Sequence, residues 1–286
     1  MARWQGRAGD SDYPEHVTRT TLANGDVAPS PSIMTKPLVV PEEQKLFQAA
    51  SRHRCCAILA AESSTASPEL CGTGTALRRD DGTLFVLTCQ HSVAAFLKGK
   101  VGWVNFFNPP QQVDRRDWSV VHADPKLDVA VLRLSPPRAR RVQGLRPLVL
   151  EDIGTRTHYR NAKPGSRCLY VATGFPQAIA RGDAKAKKID LSPLILATAP
   201  LSNAGNRVVF DYHHGKVGDR RLSPKGMSGC LFFEMHAIES DADAPPRAAG
   251  GIWTPGVAVA MQHSWNERDR LNCSPVHQLR KVIESA

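Results

Sequence analysis

Apolar residues in this chain gather into short runs, each closed by glycine, proline or an Asp-Gly pair, and no other feature constrains the fold as much. Short runs rich in valine, leucine and isoleucine between turn residues read as strands, since a helix shows a longer pattern with a period of about 3.6 residues. A first group covers 55–61, 72–77, 84–89, 101–107, 118–122 and 128–134. Within it, Arg79-Asp80-Asp81-Gly82 carries the Asp-Gly hairpin signal, and Asn108-Pro109-Pro110 and Ser135-Pro136-Pro137 mark breaks. A second group covers 167–173, 194–198, 207–212, 229–233 and 257–262, with 138–163 linking the two. Two clusters of short strands predict an all-β protein of two barrels.

Helical signals sit at the margins. Pro41 with Glu42 and Glu43 opens a short helix over 41–50, and Val276, Leu279, Val282 and Ile283 are spaced for a C-terminal one. Ser274 is the expected cap of that helix and Pro275 its first turn. Residues 1–40 are polar and without periodicity, so they read as a flexible extension. The expected organisation is therefore 1–40 as extension, 41–145 as helix plus first barrel, and 146–286 as second barrel plus helix.

Composition narrows the function classes. No run approaches the ~18 apolar residues that span a bilayer, and Met1-Ala2-Arg3-Trp4 leads into no apolar segment of a secretory signal. The seven cysteines (Cys55, Cys56, Cys71, Cys89, Cys168, Cys230 and Cys273) are odd in number and form no Cys-x-x-Cys pair. They read as reduced, packed thiols of a cytoplasmic protein, with neither a disulfide framework nor a structural zinc site. The net charge of +10 admits an acidic polypeptide partner. Its basic residues cluster at 138–146, 181–188 and 216–225, but the 6% aromatic content leaves few stacking platforms, so nucleic acid is not the expected partner.

Three local motifs could carry chemistry. His91 follows the apolar run Leu84-Phe85-Val86-Leu87, in Thr88-Cys89-Gln90-His91. Read alone, such a histidine is more often a hydrogen-bonded surface residue. Asp128 opens Asp128-Val129-Ala130-Val131-Leu132, where a carboxylate beside a buried strand needs a donor such as an imidazole N–H. Gly226-Met227-Ser228-Gly229-Cys230 places a serine between glycines that permit a tight turn, with the N–H groups of Gly226 and Ser228 able to face a developing oxyanion.

Taken in the order His91, Asp128, Ser228, these motifs closely resemble the trypsin-like (chymotrypsin-fold) serine peptidase family, nearest its bacterial HtrA-like branch. Thr88-Cys89-Gln90-His91 is similar to the family's Thr-Ala-x-His, and the serine motif to Gly-x-Ser-Gly-Gly. Gly72-Thr73-Gly74 and Gly174-Phe175-Pro176 resemble further family segments, over about residues 50–283, with no PDZ domain expected. The resemblance implies two antiparallel six-stranded β-barrels and hydrolysis of a polypeptide substrate without metal or cofactor. In it Ser228 is nucleophile, His91 general base, Asp128 the orienting acid, and Gly226 and Ser228 the oxyanion hole. It also puts Leu222 at the floor of the substrate pocket and Gln262, His263 and Ser264 along its wall, for a modest apolar side chain. Met227 and Ser92 depart from the secreted digestive enzymes, which implies neither their N-terminal activation nor one of their disulfides. Cys230 replaces the last glycine of the motif and reads as a packed residue, with a redox-sensitive thiol as its alternative. His213 and His214 read as loop residues. The competing class is a latent or inactive peptidase fold that binds an acidic protein or nucleic acid.

Overall fold

The computed structural model describes residues 54–107, 109–164, 169–183, 188–191, 194–198, 200–204, 206–212, 216–217, 220–221, 223–238, 252–266 and 270–286. The expected extension, the helix over 41–50, Cys168, His213, His214 and Leu222 lie outside them.

The first half forms β1 (Cys55–Ala61), β2 (Glu69–Arg78), β3 (Leu84–Thr88), α1 (Gln90–Lys98), β4 (Val101–Phe107), β5 (Pro110–Asp114), β6 (Trp118–Asp124) and β7 (Val129–Leu134). They make an antiparallel sheet in the order β5-β4-β1-β2-β3-β7-β6. Every residue of β1 is buried, which is why its sequence is a continuous apolar run without alternation. The β2–β3 hairpin turns at Gly82, whose φ of 84° is the left-handed conformation that the Asp-Gly signal anticipates.

The linker carries α2 (Pro136–Ala139) and α3 (Arg156–Asn161) and touches both halves through the single bridges Leu77–Leu148 and Ile153–Ala258. Beyond it come β8 (Leu169–Gly174), β9 (Arg181–Asp183), β10 (Lys188–Asp190), β11 (Leu194–Thr198), β12 (Pro200–Ala204), β13 (Arg207–Asp211), β14 (Lys216–Val217), β15 (Arg220–Arg221), β16 (Leu231–Ile238), β17 (Ile252–Asn266), β18 (Arg270–Pro275) and α4 (His277–Ser285). The second large sheet runs β11-β8-β16-β17-β18-β13-β12, while β9–β10 and β14–β15 are two-stranded ribbons. The protein is all-β with two large antiparallel sheets, as expected, but each holds seven strands where six were expected.

One expectation at the C-terminus is corrected. Ser274 and Pro275 do not start the helix: they pair with Met261 and Ala260 and close β18, and the Ser274 hydroxyl donates to the Leu127 carbonyl instead of capping α4. A ladder position outweighs a local capping preference. The apolar spacing is as expected, with Leu279 and Ile283 fully buried against Leu77, Phe85 and Leu87 of the first sheet and Leu231 and Met261 of the second. Because Leu279 fills a junction shared by both sheets, Leu279→Ala should lower the unfolding free energy by about 3 kcal/mol, read from a urea titration.

Candidate active site

β3 delivers the chain into α1, so His91 is the second residue of a helix. Ser92, Val93 and Phe96 bury the inner side of that helix, leaving the His91 side chain 46% exposed. Asp128 ends the turn before β7 with φ 53°, the one positive φ of a non-glycine among the described residues. Such a backbone costs about 1–3 kcal/mol and persists only where its surroundings hold it. Here they do. Asp128 Oδ1 accepts from the His91 N–H at 2.9 Å, Oδ2 lies 2.6 Å from His91 Nδ1, and the Asp128 carbonyl accepts from the Gln90 N–H at 3.4 Å. Burial alone raises the Asp128 carboxyl, but the hydrogen bonds from His91 and the nearby His91 and His263 charges outweigh it and hold the group below the usual carboxylate range. An ionised carboxylate only accepts, so Nδ1 of His91 carries the proton and Nε2 of the neutral ring is left as a base.

The serine turn belongs to the other half. Gly226 and Gly229 sit at φ 95° and 96°, and a Cβ on Gly229 would lie 2.0 Å from the Thr73 carbonyl oxygen. Gly229→Ala should therefore destabilise the protein by more than about 3 kcal/mol, measured by chemical denaturation. Thr73 of β2 clamps this turn: its N–H donates to the Ser228 carbonyl at 2.8 Å, and its hydroxyl donates to the Gly226 carbonyl at 2.9 Å. The same hydroxyl accepts from the Phe175 N–H at 3.0 Å. Lys225 is held as well, its carbonyl accepting from the Gln177 N–H at 2.6 Å. Among the described residues the N–H groups of Met227, Gly229 and Cys230 have backbone acceptors, whereas those of Gly226 and Ser228 have none. The turn thus presents two free donors beside the serine, the arrangement that suits an anionic oxygen.

The two halves of the site meet at one oxygen. The Gln262 carbonyl accepts from the Gly229 N–H at 2.8 Å and from Cys89 Sγ at 3.1 Å, joining the residue after Ser228 to the residue two before His91. The Ser228 hydroxyl lies 3.4 Å from the His263 carbonyl and donates to it. His263 sits at a register shift in β17: the pairing with β18 steps from Gln262 to Ser264 past it, and the pairing with β16 ends at Met261. It therefore has no ladder partner in either neighbouring strand, as at the bulges common beside active sites. Burial lowers the His263 imidazole below the usual range, with Arg207 and His91 adding to that and Asp128 opposing it.

Of the other residues singled out by sequence, Gln262 is buried and Ser264 Oγ is 3.2 Å from Asn272 Nδ2. Cys230 is fully buried, and burial pushes its thiol far above the ordinary range, so it packs under the turn as an unreactive side chain. All six described cysteines are free. Cys89, His91 and Asp128 have potential ligand atoms within 4.8 Å of one another. The His91–Asp128 hydrogen bond and the strongly raised Cys89 thiol make this set an acid–base pair beside a packed thiol, with no preference for a cation. Sequence reasoning noted Gly72-Thr73-Gly74 but not the Thr73 clamp, and it missed the Gln177 anchor. Neither backbone partner leaves a compositional trace.

Two antiparallel sheets, a His–Asp pair on the first and a glycine-flanked serine turn on the second, define a trypsin-type scaffold. The family model of the trypsin-like peptidase domain matches residues 72–253, and the chain belongs to that family. Among solved structures it is similar to the serine endoprotease from Yersinia pestis, at 15% identity and a TM-score of 0.49, covering 84% of this chain and 65% of that one. The comparison with curated proteins gives no match. Among the described residues no helix is long and apolar enough to cross a membrane.

Proposed function

We propose that the protein is a serine endopeptidase in which Ser228 is the nucleophile, His91 the general base and Asp128 the residue that orients it. The observation that carries this reading is the 2.6 Å contact between His91 Nδ1 and Asp128 Oδ2, which leaves Nε2 as the basic atom of a ring fixed by its own backbone. The free N–H groups of Gly226 and Ser228 supply the oxyanion hole.

The substrate is an extended polypeptide. It docks as an added strand along β17 at His263, which has no ladder partner, beside the wall formed by Gln262 and Ser264. A peptide N–H that takes the His263 carbonyl displaces the Ser228 hydroxyl, and rotation about χ1 turns that hydroxyl to His91 Nε2. Oγ then attacks the scissile carbonyl carbon as its proton passes to Nε2, and the resulting oxyanion rests on the two N–H groups. The C–N bond breaks as His91 returns the proton to the leaving amine, and an acyl-Ser228 ester remains. Water repeats the sequence, giving its proton to His91 and releasing the carboxylic acid and the free hydroxyl.

Labelling with a fluorophosphonate probe tests this assignment. The parent protein should label, while Ser228→Ala and His91→Ala should not. Equal labelling of parent and Ser228→Ala would exclude Ser228 as the nucleophile.

A further inference from the structure

Away from the serine turn, a groove of about 880 Å³ lies where α3, α4 and the β12–β13 connection meet. Segments far apart in sequence build it, and none belongs to the three basic stretches that the sequence displays. Arg156, Arg160 and Lys163 come from α3 and its C-terminal flank, and Lys281 from α4. All four side chains belong to exposed residues, and no carboxylate lines the groove with them. Among the described residues none of the four has an ion-pair partner. Four cations converging on one concavity without a counter-charge repel one another, a cost that a matching anion removes.

The lining beneath the cations is polar and fixed. Tyr159 is 3% exposed and packs its ring 5.6 Å from that of His277. Behind this wall the Tyr159 hydroxyl and His277 Nδ1 are buried atoms with no hydrogen-bond partner. Asn203 braces the wall, its amide donating to the Tyr159 carbonyl at 2.6 Å and to the Ala162 carbonyl at 3.0 Å. Burial lowers the His277 imidazole, and the Arg156 and Arg160 charges lower it further, which places both guanidinium groups within electrostatic reach of this wall.

We propose that this groove is a binding site for a compact polyphosphate anion, either free or as the phosphate tail of a nucleotide. Two guanidinium and two ammonium groups offer only donors, and a ligand of several acceptor oxygens and several negative charges matches them; one carboxylate leaves most of the charge unanswered. The volume suits a small ligand. A single nucleic-acid strand fits less well, because its bases need exposed aromatic faces and Tyr159 is buried. The site is independent of the peptidase chemistry proposed above.

Titration calorimetry on the full chain at about 0.15 M salt, with tripolyphosphate as probe, tests the site. Arg156→Gln with Arg160→Gln should weaken binding by about 10-fold or more, and Lys281→Gln, on the exposed side of α4, should weaken it by several-fold. The control pair Arg140→Gln with Arg146→Gln removes the same charge from the linker and should leave affinity unchanged. Equal weakening by both pairs reduces the effect to net charge and overturns the proposal, as does the absence of binding to the parent. Tighter binding of a single-stranded oligonucleotide or a glutamate-rich peptide overturns the ligand class. A nucleoside triphosphate that binds more tightly than tripolyphosphate assigns the anion to a nucleotide, and the reverse order assigns it to free polyphosphate. In the parent, bound anion should also raise the His277 pKa seen by NMR, since negative charge favours the imidazolium.

Discussion

Ser228→Ala should lower peptide turnover by about 10⁶-fold while leaving the protein folded. Among the described residues the hydroxyl that it removes makes one hydrogen bond, a long one of 3.4 Å to the His263 carbonyl, so the stability change should stay within about 0.5 kcal/mol. The loss of rate comes instead from the absent nucleophile. What remains, about 10³–10⁴ over water, would come from the free Gly226 and Ser228 N–H groups and from substrate binding. His91→Ala should fall about as far, and the double variant little further, because the two groups act on one proton transfer. Single-turnover rates with a peptide substrate, beside a melting curve for each variant, separate chemistry from folding. An alanine variant within 10-fold of the parent would place the nucleophile elsewhere.

Asp128→Asn should cost about 10⁴-fold in turnover for a different reason. Both carboxylate oxygens are in use, Oδ1 accepting from the His91 N–H and Oδ2 from Nδ1. An asparagine has one oxygen and one NH₂ group. With the oxygen on the backbone N–H, the NH₂ faces Nδ1 and forces the ring proton onto Nε2, where a base is needed. The same pair gives a pH dependence with a defined sign. The folded-state pKa of Asp128 is depressed, because the His91 hydrogen bonds outweigh burial, relative to about 3.9 in the unfolded chain. Its stabilising contribution is therefore present above about pH 4 and is lost as pH falls through the lower folded value. The parent should be the more stable protein in urea at pH 7, and the gap to Asp128→Asn should narrow in acid.

Much of the candidate site was legible because its proposed chemistry rests on residue types in short motifs. His91, Asp128 and the glycines around Ser228 declare themselves through what a turn or a buried acid requires. The scaffold was less legible where local signals are weak or conflict with the ladder. α1 has Cys89 at its N-cap without a side-chain cap and no acid in its first turn, so nothing in the sequence announced it. β5 begins at Pro110, read as part of a turn, yet proline is tolerated as the first residue of an edge strand. β17 was recognised only over 257–262, although it runs Ile252–Asn266, because Pro255 and Gly256 interrupt the β pattern at an irregular stretch of its pairing with β16. Ser274 shows the opposite failure, a strong capping signal overruled by tertiary pairing. The basic groove could not be read, since Lys281 stands more than a hundred residues from Arg156, Arg160 and Lys163 and only the fold brings it to them.

Each half of the molecule holds the other's working loop. The Ser228 carbonyl is fastened by Thr73 of β2, and the Leu127 carbonyl next to Asp128 by Ser274 of β18. The fastening is reciprocal, so the sheets cannot slide or part by even a hydrogen bond's length without loosening the Ser228 turn and Asp128 together. Alignment across the seam then becomes a gauge of how the halves are seated. Under mild denaturant, activity should vanish while both sheets keep their circular dichroism, and the gap between the two midpoints measures the opening of the seam alone.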